Sequence, residues 1–457
     1  MNIENINELI KKIQSLGVEV LSDVSEYEKD KTPSLTGKAF FTIVPRDADE
    51  LSEALKILFA QKIPLFARGG GTGVTGGAVP FDGAVVSFAK MNRIIELDVN
   101  NMTITVEPGV ITADINKAAS EKKLFYPPDP ASLNECTIGG NVSVSAGGPH
   151  AVKYGTTKDY VLGMEFVTVD GRKMHWGAKT VKNSAGFSLG QLIVGSEGTL
   201  AFVTKLILKL VPAPQYSCDI LVSFSSIESA VSCVNKILLG RISPAALEFI
   251  DKSAASFVAR HFPDDVYFPN AGALLLIRLD SMNTSDLEYQ YGLLSEILKM
   301  NAEDFVRADD EATKEKIWNS RRKIRTSIEK ESPVFFAEDP ALPRAVIAEF
   351  IAKVNSSLRE MNVGAVFFGH AGDGNIHIYI LKGGMDDIEW NKMKPEIRRM
   401  IYTYAIEMGG VITGEHGVGY TRKEYMKLMY SSDEMELMRN IKTAFDPYNL
   451  LNPGKIF

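Results

Sequence analysis

Three of the six histidines lie in two short glycine-rich segments near the C-terminus, and their neighbours could complete a metal site. The segment GHAGDGNIH carries His370 and His377, and the segment TGEHG carries Glu415 and His416. Two imidazoles and one carboxylate form a three-ligand set that suits a catalytic divalent metal with one coordination position left open. Zinc is the expected ion, with manganese or iron as alternatives. His416, directly after the carboxylate, is a candidate base beside that metal.

The plainer interpretation is that His370 and His377 are ordinary loop histidines whose ring nitrogens bond to backbone groups. We favour the metal site because glycines in both segments let the backbone approach a ligand closely. These glycines are Gly372, Gly374, Gly414 and Gly417.

Length and composition describe an ordinary globular chain. Its 457 residues allow roughly two to three domains with buried cores. A net charge of −7 argues against nucleic acid as the main partner. The N-terminus predicts an amphipathic helix without the apolar run of a signal peptide or a membrane span. Cys136, Cys218 and Cys233 are too far apart for a disulfide framework or an iron–sulfur cluster. We therefore expect a cytoplasmic protein, with a peripheral position on the inner face of the membrane as an alternative.

The first half of the chain reads as strands interrupted by two helices. Asp47, followed by Glu50, resembles a helix start, and a second helix is expected over 112–123. The segment 125–150, rich in Pro, Gly, Ser and Asn, is expected to lack its own helix or strand. Strands are predicted near 39–45, 63–68, 84–88, 93–98, 103–107, 161–170 and 200–211.

The pattern changes after Pro214, where strand-like runs alternate with long helices. The predicted helices cover 308–330 and 389–408. Strands are predicted at 218–224, 273–279, 333–337, 364–368 and 376–381. This alternation predicts an α+β domain with an antiparallel sheet covered by helices.

A glycine-rich loop, RGGGTGVTGG, follows the strand predicted near 63–68. It contains a formal G-x-G-x-x-G, but the residues after it lead into a strand and not into the helix that a Rossmann fingerprint requires. Consecutive backbone amides in such a loop can form an anion nest, and Arg68 adds a fixed charge. We expect a pyrophosphate here, with a flexible surface loop as the alternative. Two more glycine-rich stretches, 136–150 and 194–200, suggest one extended ligand lying along the backbone.

Together these motifs resemble the FAD-linked oxidases of the vanillyl-alcohol-oxidase superfamily, with the D-lactate dehydrogenases and a group of glycolate oxidase subunits as the nearest members. The resemblance runs from about residue 36 to the last residue, through YPPDP, CTIGGNVSVSAGGPHAVKYG, GAKTVKN, VGSEGTLAFVT and FDPYNLLNPGKIF besides the segments above. It implies an α+β fold in which a p-cresol-methylhydroxylase-type (PCMH-type) FAD-binding domain of two α+β subdomains precedes a C-terminal substrate (cap) domain. The implied limits are an N-terminal helical segment 1–35, the FAD-binding domain 36–214, the cap domain 215–420 and a helical tail 421–457 that returns to the FAD-binding domain.

The resemblance also implies which residues bind FAD. Gly69–Gly73 resemble the pyrophosphate loop of the family, and Thr72 stands where some relatives carry a histidine that attaches FAD covalently. Non-covalent FAD is therefore expected. The implied FAD-binding residues are Arg68, Gly69, Gly70, Gly71, Thr72, Gly73, Pro128, Asp129, Ser132, Thr137, Gly139, Gly140, Asn141, Gly147, Gly148, Glu197, Gly198, Val203 and Asn452.

The activity implied is FAD-dependent dehydrogenation of a small 2-hydroxy acid, D-lactate or glycolate. In the family the His/His/Glu set binds a divalent metal, which His370, His377 and Glu415 match, and His416 matches the base. Arg321 matches the arginine for the substrate carboxylate; alternatively it belongs to a solvated basic helix face. The electron acceptor stays open among a quinone, a cytochrome, an electron-transfer flavoprotein and a separate iron–sulfur subunit, and a homodimer is compatible with the sequence.

Two other functions remain alternatives. D-2-hydroxyglutarate dehydrogenase is disfavoured because relatives acting on that diacid tend to carry Lys and Asn where this chain has Ala337 and Tyr379. Arg278 also differs from the acidic or amide residue that relatives often have. A non-catalytic FAD subunit of a larger electron-transfer complex would be expected to lose the metal set or His416, and both are intact.

Overall fold

The computed structural model describes residues 3–265 and 267–457, so Met1 and Asn2 of the predicted N-terminal segment lie outside the described residues. Short 3₁₀ turns lie at Ser25–Tyr27, Thr157–Asp159, Pro263–Asp265, Arg344–Val346 and Lys423–Tyr425. The helices are α1 (Ile3–Gln14), α2 (Ala48–Ala60), α3 (Thr112–Ser120), α4 (Ile138–Val144), α5 (Ala151–Tyr154), α6 (Leu189–Ile193), α7 (Ile227–Leu239), α8 (Lys252–His261), α9 (Thr284–Asn301), α10 (Glu311–Arg322), α11 (Ile324–Glu331), α12 (Ile347–Glu360), α13 (Asp387–Glu407), α14 (Met426–Met429) and α15 (Ser432–Phe445).

The strands alternate with these helices along both halves of the chain. They are β1 (Glu19–Leu21), β2 (Lys38–Val44), β3 (Leu65–Arg68), β4 (Phe81–Ser87), β5 (Ile94–Asp98), β6 (Thr103–Val106), β7 (Leu124–Phe125), β8 (Val161–Val167), β9 (Lys173–Gly177), β10 (Phe202–Lys209), β11 (Val211–Pro212), β12 (Tyr216–Phe224), β13 (Ala246–Asp251), β14 (Ala273–Ser281), β15 (Asp304–Ala308), β16 (Phe335–Glu338), β17 (Gly364–His370) and β18 (Asn375–Leu381).

The chain divides into two compact units, and the first contains two main sheets. It comprises residues 1–146, 156–213 and 416–457. A four-stranded sheet has the order β1-β2-β4-β3, in which β2 and β3 run parallel to β4 and β1 pairs antiparallel to β2. A five-stranded antiparallel sheet has the order β5-β6-β10-β8-β9.

Hydrophobic spacing explains how the first unit is packed. Helix α2 begins at Asp47, whose carboxylate accepts the amides of Asp49 and Glu50, and it buries Leu51 and Leu55 against the four-stranded sheet. The core around α2 also includes side chains from the C-terminal tail, Leu450 and Leu451. Strand β3 forms one edge of this four-stranded sheet, and the glycine-rich loop follows it directly in the chain.

The second unit is built on one seven-stranded sheet. It comprises residues 147–155 and 214–415. The strand order is β15-β12-β14-β13-β17-β18-β16, and every neighbouring pair is antiparallel. Strands β17 and β18 form a hairpin, and β13 pairs with β17 on the other side. The predicted α+β fold with an antiparallel sheet is therefore confirmed for this part of the chain.

Several local predictions were wrong. The segment 125–150 does contain a helix, α4, which Thr137 caps by accepting the amide of Gly140 and which ends at Ser145 in the left-handed region (φ 52°). The helix predicted over 308–330 is two helices, α10 and α11, separated at Lys323. Strand β13 was missed because two buried carboxylates interrupt its apolar pattern.

Candidate functional site

The second unit brings the predicted metal ligands together. His370 ends β17 and His377 lies in β18, and the hairpin between them closes with the amide of Gly374 donating to the carbonyl of His370 at 3.0 Å. The Nε2 atoms of His370 and His377 lie 3.7 and 3.4 Å from Oε1 of Glu415. Both histidines are buried, and Glu415 is half-buried. The three residues form one cluster in which each directs a ligand atom at the others.

The cluster depends on a turn that only glycine can make. Gly374 has a φ of +94°, and a β-carbon there would collide with the carbonyl of Leu342. This tight turn puts His370 opposite Asn375 in the register of the hairpin, with His377 opposite Phe368. The two imidazole rings therefore meet edge to face, with centroids 5.3 Å apart.

Glu415 lies outside the helices and strands, and the buried Asp339 holds its backbone. Asp339 Oδ2 accepts the amide of Glu415 at 3.1 Å, and the carbonyl of Asp339 accepts the amide of Gly414 at 2.7 Å. The hydroxyl of Thr413 donates to the same carboxylate at 3.2 Å. Asn375 adds a bond from Nδ2 to the Asp339 carbonyl at 3.0 Å, which links the Glu415 segment to the histidine hairpin.

Glu248 and Arg321 extend the cluster on its other side. The Nδ1 atom of His370 lies 2.6 Å from Oε1 of Glu248, and Nε of Arg321 donates to Oε2 at 2.9 Å. The Glu248 side chain is completely buried. The guanidinium of Arg321 stacks over the ring of Phe368 at 4.6 Å. Sequence reasoning selected Arg321 but missed Glu248, because a single Glu in an unrecognised strand gave no signal.

The electrostatics of the cluster follow from this packing. Burial would raise the pKa of Glu248, but the charges of His370 and Arg321 and the hydrogen bond from His370 outweigh it, so the pKa lies below its usual value. Burial acts to lower the pKa of His370, yet the carboxylates of Glu248 and Glu415 raise it well above its usual value. Asp373, in the turn, has its pKa raised to about 6 by burial. A proton or another cation is thus favoured among these groups.

The geometry fits a small divalent ion. Ligand atoms at about 2.0–2.1 Å from a tetrahedral zinc ion lie roughly 3.3–3.4 Å apart. The separations of 3.4 and 3.7 Å between Glu415 and the two histidines are close to that spacing. The pattern of a ligand histidine bonded through its other nitrogen to a carboxylate is also typical of metal sites.

His416 belongs to the first unit, although it directly follows Glu415 in the chain. Its carbonyl accepts the hydroxyl of Thr75 at 3.3 Å. The amides of Tyr420 and Thr421 then donate to the Thr75 carbonyl at 2.8 and 3.1 Å. Thr75 lies two residues after Gly73, so the backbone of the candidate base is attached to the end of the glycine-rich loop.

The glycine-rich loop has the properties expected of an anion nest. The backbone amides of residues 70–73 donate no hydrogen bond to another group within 3–265 or 267–457. Gly71 has a φ of +66°, and a β-carbon there would collide with the guanidinium of Arg68. That guanidinium donates to the carbonyls of Lys29 and Glu26, the second at 3.2 Å. A line of available donors beside a fixed cation suits a pyrophosphate.

A second predicted FAD stretch lies against this loop. A β-carbon on Gly69 would collide with the hydroxyl of Thr137, and one on Gly70 with the carbonyl of Glu135. The close approach brings the N-terminus of α4, which carries Gly139, Gly140 and Asn141, next to the loop. Of the other predicted residues in this stretch, Pro128, Asp129 and Ser132 lie on the segment that precedes α4.

The tail supplies another polar group to the first unit. Asn452 is buried, and its Nδ2 donates to the carbonyls of Gly77 and Glu197 at 2.9 and 2.7 Å. Its buried Oδ1 has no hydrogen-bond partner among the described residues, which is compatible with a hydrogen bond to a bound ligand. Gly198 and the buried Val203 lie on the same stretch of chain as Glu197.

Three further residues predicted to bind FAD are Glu197, Gly147 and Gly148. Glu197 directs both carboxylate oxygens at backbone amides of the segment after His416, at 2.7 Å from Val418 and 2.7 Å from Gly419. Burial raises the pKa of Glu197 to about 7, although these two amides and Arg422 oppose the shift. Gly147 and Gly148 belong to the segment 147–155, which is part of the second unit.

Comparison with known protein families accounts for both units. Residues 41–177 match the FAD binding domain family, and residues 213–456 match the FAD linked oxidases, C-terminal domain. The chain is 37% identical to the glycolate oxidase subunit GlcD of Bacillus subtilis (strain 168), over 94% of this chain and 92% of that protein. It is 35% identical to a D-lactate dehydrogenase of Archaeoglobus fulgidus, over 96% of this chain and 97% of that protein.

Solved structures show the same fold at low sequence identity. The structure of p-cresol methylhydroxylase with substrate bound superposes with a TM-score of 0.81 at 16% identity, over all of this chain and 97% of that one. The 4-ethylphenol oxidase from Gulosibacter chungangensis gives a TM-score of 0.78 at 17% identity, over 100% of this chain and 98% of that one. The predicted PCMH-type fold is confirmed.

A flavoprotein with this fold and these two domains is an FAD-dependent oxidoreductase. The chain belongs to the family of FAD-linked oxidases that includes the glycolate oxidase subunits and D-lactate dehydrogenases, as its sequence motifs indicated. Within residues 3–265 and 267–457, no helix combines the length and apolar character needed to cross a bilayer.

Proposed function

We propose that the protein is a metal-assisted dehydrogenase of a small 2-hydroxy acid, D-lactate or glycolate, which it converts to the 2-oxo acid. The observation that carries the proposal is the cluster of His370, His377 and Glu415, whose ligand atoms converge within 4.8 Å of one another. The names of the relatives, glycolate oxidase subunit and D-lactate dehydrogenase, support the same substrate class.

Each reactive group of the chain has a definite task in this reaction. A divalent ion held by His370, His377 and Glu415 would supply Lewis-acid polarisation of the substrate hydroxyl. Arg321 binds the substrate carboxylate. A ring nitrogen of His416 would accept the hydroxyl proton. FAD, which the glycine-rich loop, Thr137 and Asn452 would hold, would supply the acceptor for the C2 hydrogen and its electron pair, so one proton and one hydride leave and the alcohol carbon is oxidised by two electrons.

The surroundings of Arg321 support a short substrate. Phe368 lies under the guanidinium at 4.6 Å and packs against Tyr379 with ring centroids 5.2 Å apart. Tyr379 in turn packs against Phe335 at 5.3 Å. Ala337 lies opposite Tyr379 in the pairing of β16 with β18, and these two residues stand where relatives acting on the diacid tend to carry Lys and Asn, so glycolate or D-lactate is preferred over 2-hydroxyglutarate.

In this proposal a separate molecule reoxidises the flavin. The candidates are oxygen, a quinone, a cytochrome, an electron-transfer flavoprotein and an iron–sulfur subunit. Three of the similar proteins carry the name of a glycolate oxidase subunit, which supports a complex with other chains. Copurification of the tagged protein from its own host tests this part of the proposal.

Anaerobic mixing of the FAD-loaded protein with D-lactate, L-lactate, glycolate and D-2-hydroxyglutarate tests the reaction. One of the small acids should bleach the oxidised flavin band, chelation should stop the bleaching, and added metal should restore it. His377→Ala should remove both metal uptake and bleaching, whereas His261→Ala, which removes a bond to Glu331, should keep both. Bleaching that persists after chelation and in His377→Ala would refute the metal role, and absence of bleaching by any of the acids would refute the substrate class.

A further inference from the structure

Glu248 is a fully buried charged group beside the candidate metal cluster. It lies on β13, opposite His370 in the pairing of β13 with β17, so the sheet register fixes its distance from that histidine. One carboxylate oxygen lies 2.6 Å from Nδ1 of His370, and the other accepts Nε of Arg321 at 2.9 Å. A single carboxylate therefore contacts both a candidate metal ligand and the candidate substrate-binding arginine.

We propose that Glu248 is a positioning residue that sets the orientation of His370 and Arg321 together. The inference rests on the proposed function, because it gives Glu248 its role through those two residues. A carboxylate that accepts from Nδ1 keeps a hydrogen on that nitrogen and turns Nε2 outward as the ligand atom. In this structure Nε2 of His370 does face Glu415, at 3.7 Å.

The same carboxylate constrains the guanidinium. Glu248 accepts Nε of Arg321, and the guanidinium stacks over the ring of Phe368, so two contacts restrain the orientation of its plane. Two parallel N–H groups in a fixed plane are the geometry that binds a carboxylate in a bidentate manner. Glu248 thus orients the arginine for a substrate that it does not itself contact.

A purely structural role explains the arrangement less well. Removing a carboxylate from water is unfavourable, and apolar residues of similar volume often stabilise a core as well or better. Glu248 instead divides its two oxygens between nitrogen donors from different elements, His370 on strand β17 and Arg321 on helix α10. The positioning role therefore predicts that replacing Glu248 by a neutral residue lowers the affinity for the metal, and that a general loss of stability does not account for this effect.

A zinc competition experiment tests this role without measuring activity. FAD-loaded wild-type, Glu248→Gln and Glu248→Asp proteins are stripped of metal and titrated with Zn²⁺ against a chromophoric chelator of known affinity. Outer carboxylates bonded to metal-binding histidines typically contribute about 10- to 100-fold in metal affinity. We expect a loss in that range for Glu248→Gln, a smaller loss for Glu248→Asp, which keeps the charge, and unchanged FAD content in both.

Asp219→Asn is the matched control. Asp219 is also fully buried, lies in the same sheet on β12, and accepts Nε and a terminal nitrogen of Arg278, each at 2.7 Å. Its replacement removes a buried anion beside a guanidinium without touching the histidines. Asp219→Asn should lose thermal stability and bind zinc like the wild type.

The outcomes distinguish the positioning role of Glu248 from the proposed metal site itself. If the wild-type protein binds zinc and Glu248→Gln binds it equally well, the positioning role is refuted and the proposed metal site stands. If Asp219→Asn loses zinc affinity as much as Glu248→Gln, the effect is general destabilisation and the positioning role is also refuted. If the wild-type protein takes up no zinc, the metal site itself fails and the role of Glu248 falls with it. If Glu248→Gln does not fold, the zinc affinities of Glu248→Asp and the wild type are compared instead, and equal affinities would refute the positioning role.

Discussion

The carboxylate of Glu197 accepts the backbone amide of Gly419 at 2.7 Å, and its other oxygen accepts the amide of Val418 at the same distance. Both amides lie within three residues of His416, so Glu197 holds the backbone of the segment that carries the candidate base. Thr75 holds the same segment two residues before Val418, where its hydroxyl donates to the carbonyl of His416.

Replacing Glu197 by Gln should loosen that segment. At a pH above about 7, where Glu197 is ionised, the amide side chain of the variant keeps one acceptor oxygen but presents an NH₂ group to the second backbone N–H, so one hydrogen bond to a charged group, worth about 1.5–3 kcal/mol, is lost. Hydrogen–deuterium exchange measured by mass spectrometry should show faster exchange in the peptide covering 417–420. The exposed Glu53→Gln, which removes a surface ion pair with Lys56, should leave that peptide unchanged. Equal exchange in Glu197→Gln and wild type would contradict the holding role.

Replacing His416 by Ala should leave FAD bound and slow flavin reduction by about 10²- to 10⁴-fold, the usual contribution of a general base. Stopped-flow spectroscopy of the flavin band under anaerobic conditions measures the rate. His175→Ala, at an exposed position on β9, serves as the control and should reduce the flavin normally. A wild-type rate in His416→Ala would remove His416 from the mechanism.

Replacing Arg321 by Lys should weaken substrate binding. Lysine cannot offer two parallel N–H groups to a carboxylate, and a lost hydrogen bond between charged groups costs about 1.5–3 kcal/mol, which corresponds to roughly 10- to 150-fold in KM. Steady-state kinetics should show the larger change in KM and a smaller one in kcat. The neighbouring Arg322→Lys, whose side chain is exposed and paired with Glu315, is the control. If both variants have the wild-type KM, the carboxylate is bound by another group.

Asp251 should make stability depend on pH. Burial raises its pKa to about 7, against the opposing hydrogen bonds from the amides of Ala254 and Phe367. An unfolded aspartate has a pKa of about 3.9, so between that value and about 7 the folded protein retains a proton that the unfolded chain has released. The raised pKa therefore favours the folded state fully below about pH 4, and this contribution is lost as the pH rises to about 7.

Thermal melts of the wild type and Asp251→Asn across this range measure the effect. The difference in Tm between wild type and variant should fall as the pH rises, by an amount equivalent to at most about 4 kcal/mol, since one pKa unit is about 1.4 kcal/mol. Asn is as good an N-terminal helix cap as Asp, so the cap of α8 is retained in the variant. Parallel Tm curves for the two proteins would show that Asp251 does not titrate in this range.

The sequence predicted that His370, His377 and Glu415 lie together, and the structure brings them together; the two histidines, from a chain with only six, stand in a glycine-rich segment where little else explains them. That the three residues bind a metal stays a prediction. The sequence predicted the glycine-rich loop for a similar reason. Glu248 could not be found in this way, because its importance depends on the register between β13 and β17, which the local sequence does not encode. Helix α4 was missed because Gly139, Gly140 and Asn141 are poor helix formers, and its packing and the cap at Thr137 override that preference. The FAD contacts, the domain limits and the role of each site residue stay predictions.

Asp339 has a consequence for the proposed metal site. Its carboxylate and carbonyl already hold Thr413, Gly414 and Glu415 in place, and Asn375 joins them to the histidine hairpin. The ligands therefore do not have to be gathered from a disordered loop, and little conformational entropy remains to be lost on binding. If the site binds a metal as proposed, such preorganisation would favour rapid, selective uptake, since an ion of the wrong size would have to break the bonds to Asp339 in order to move Glu415.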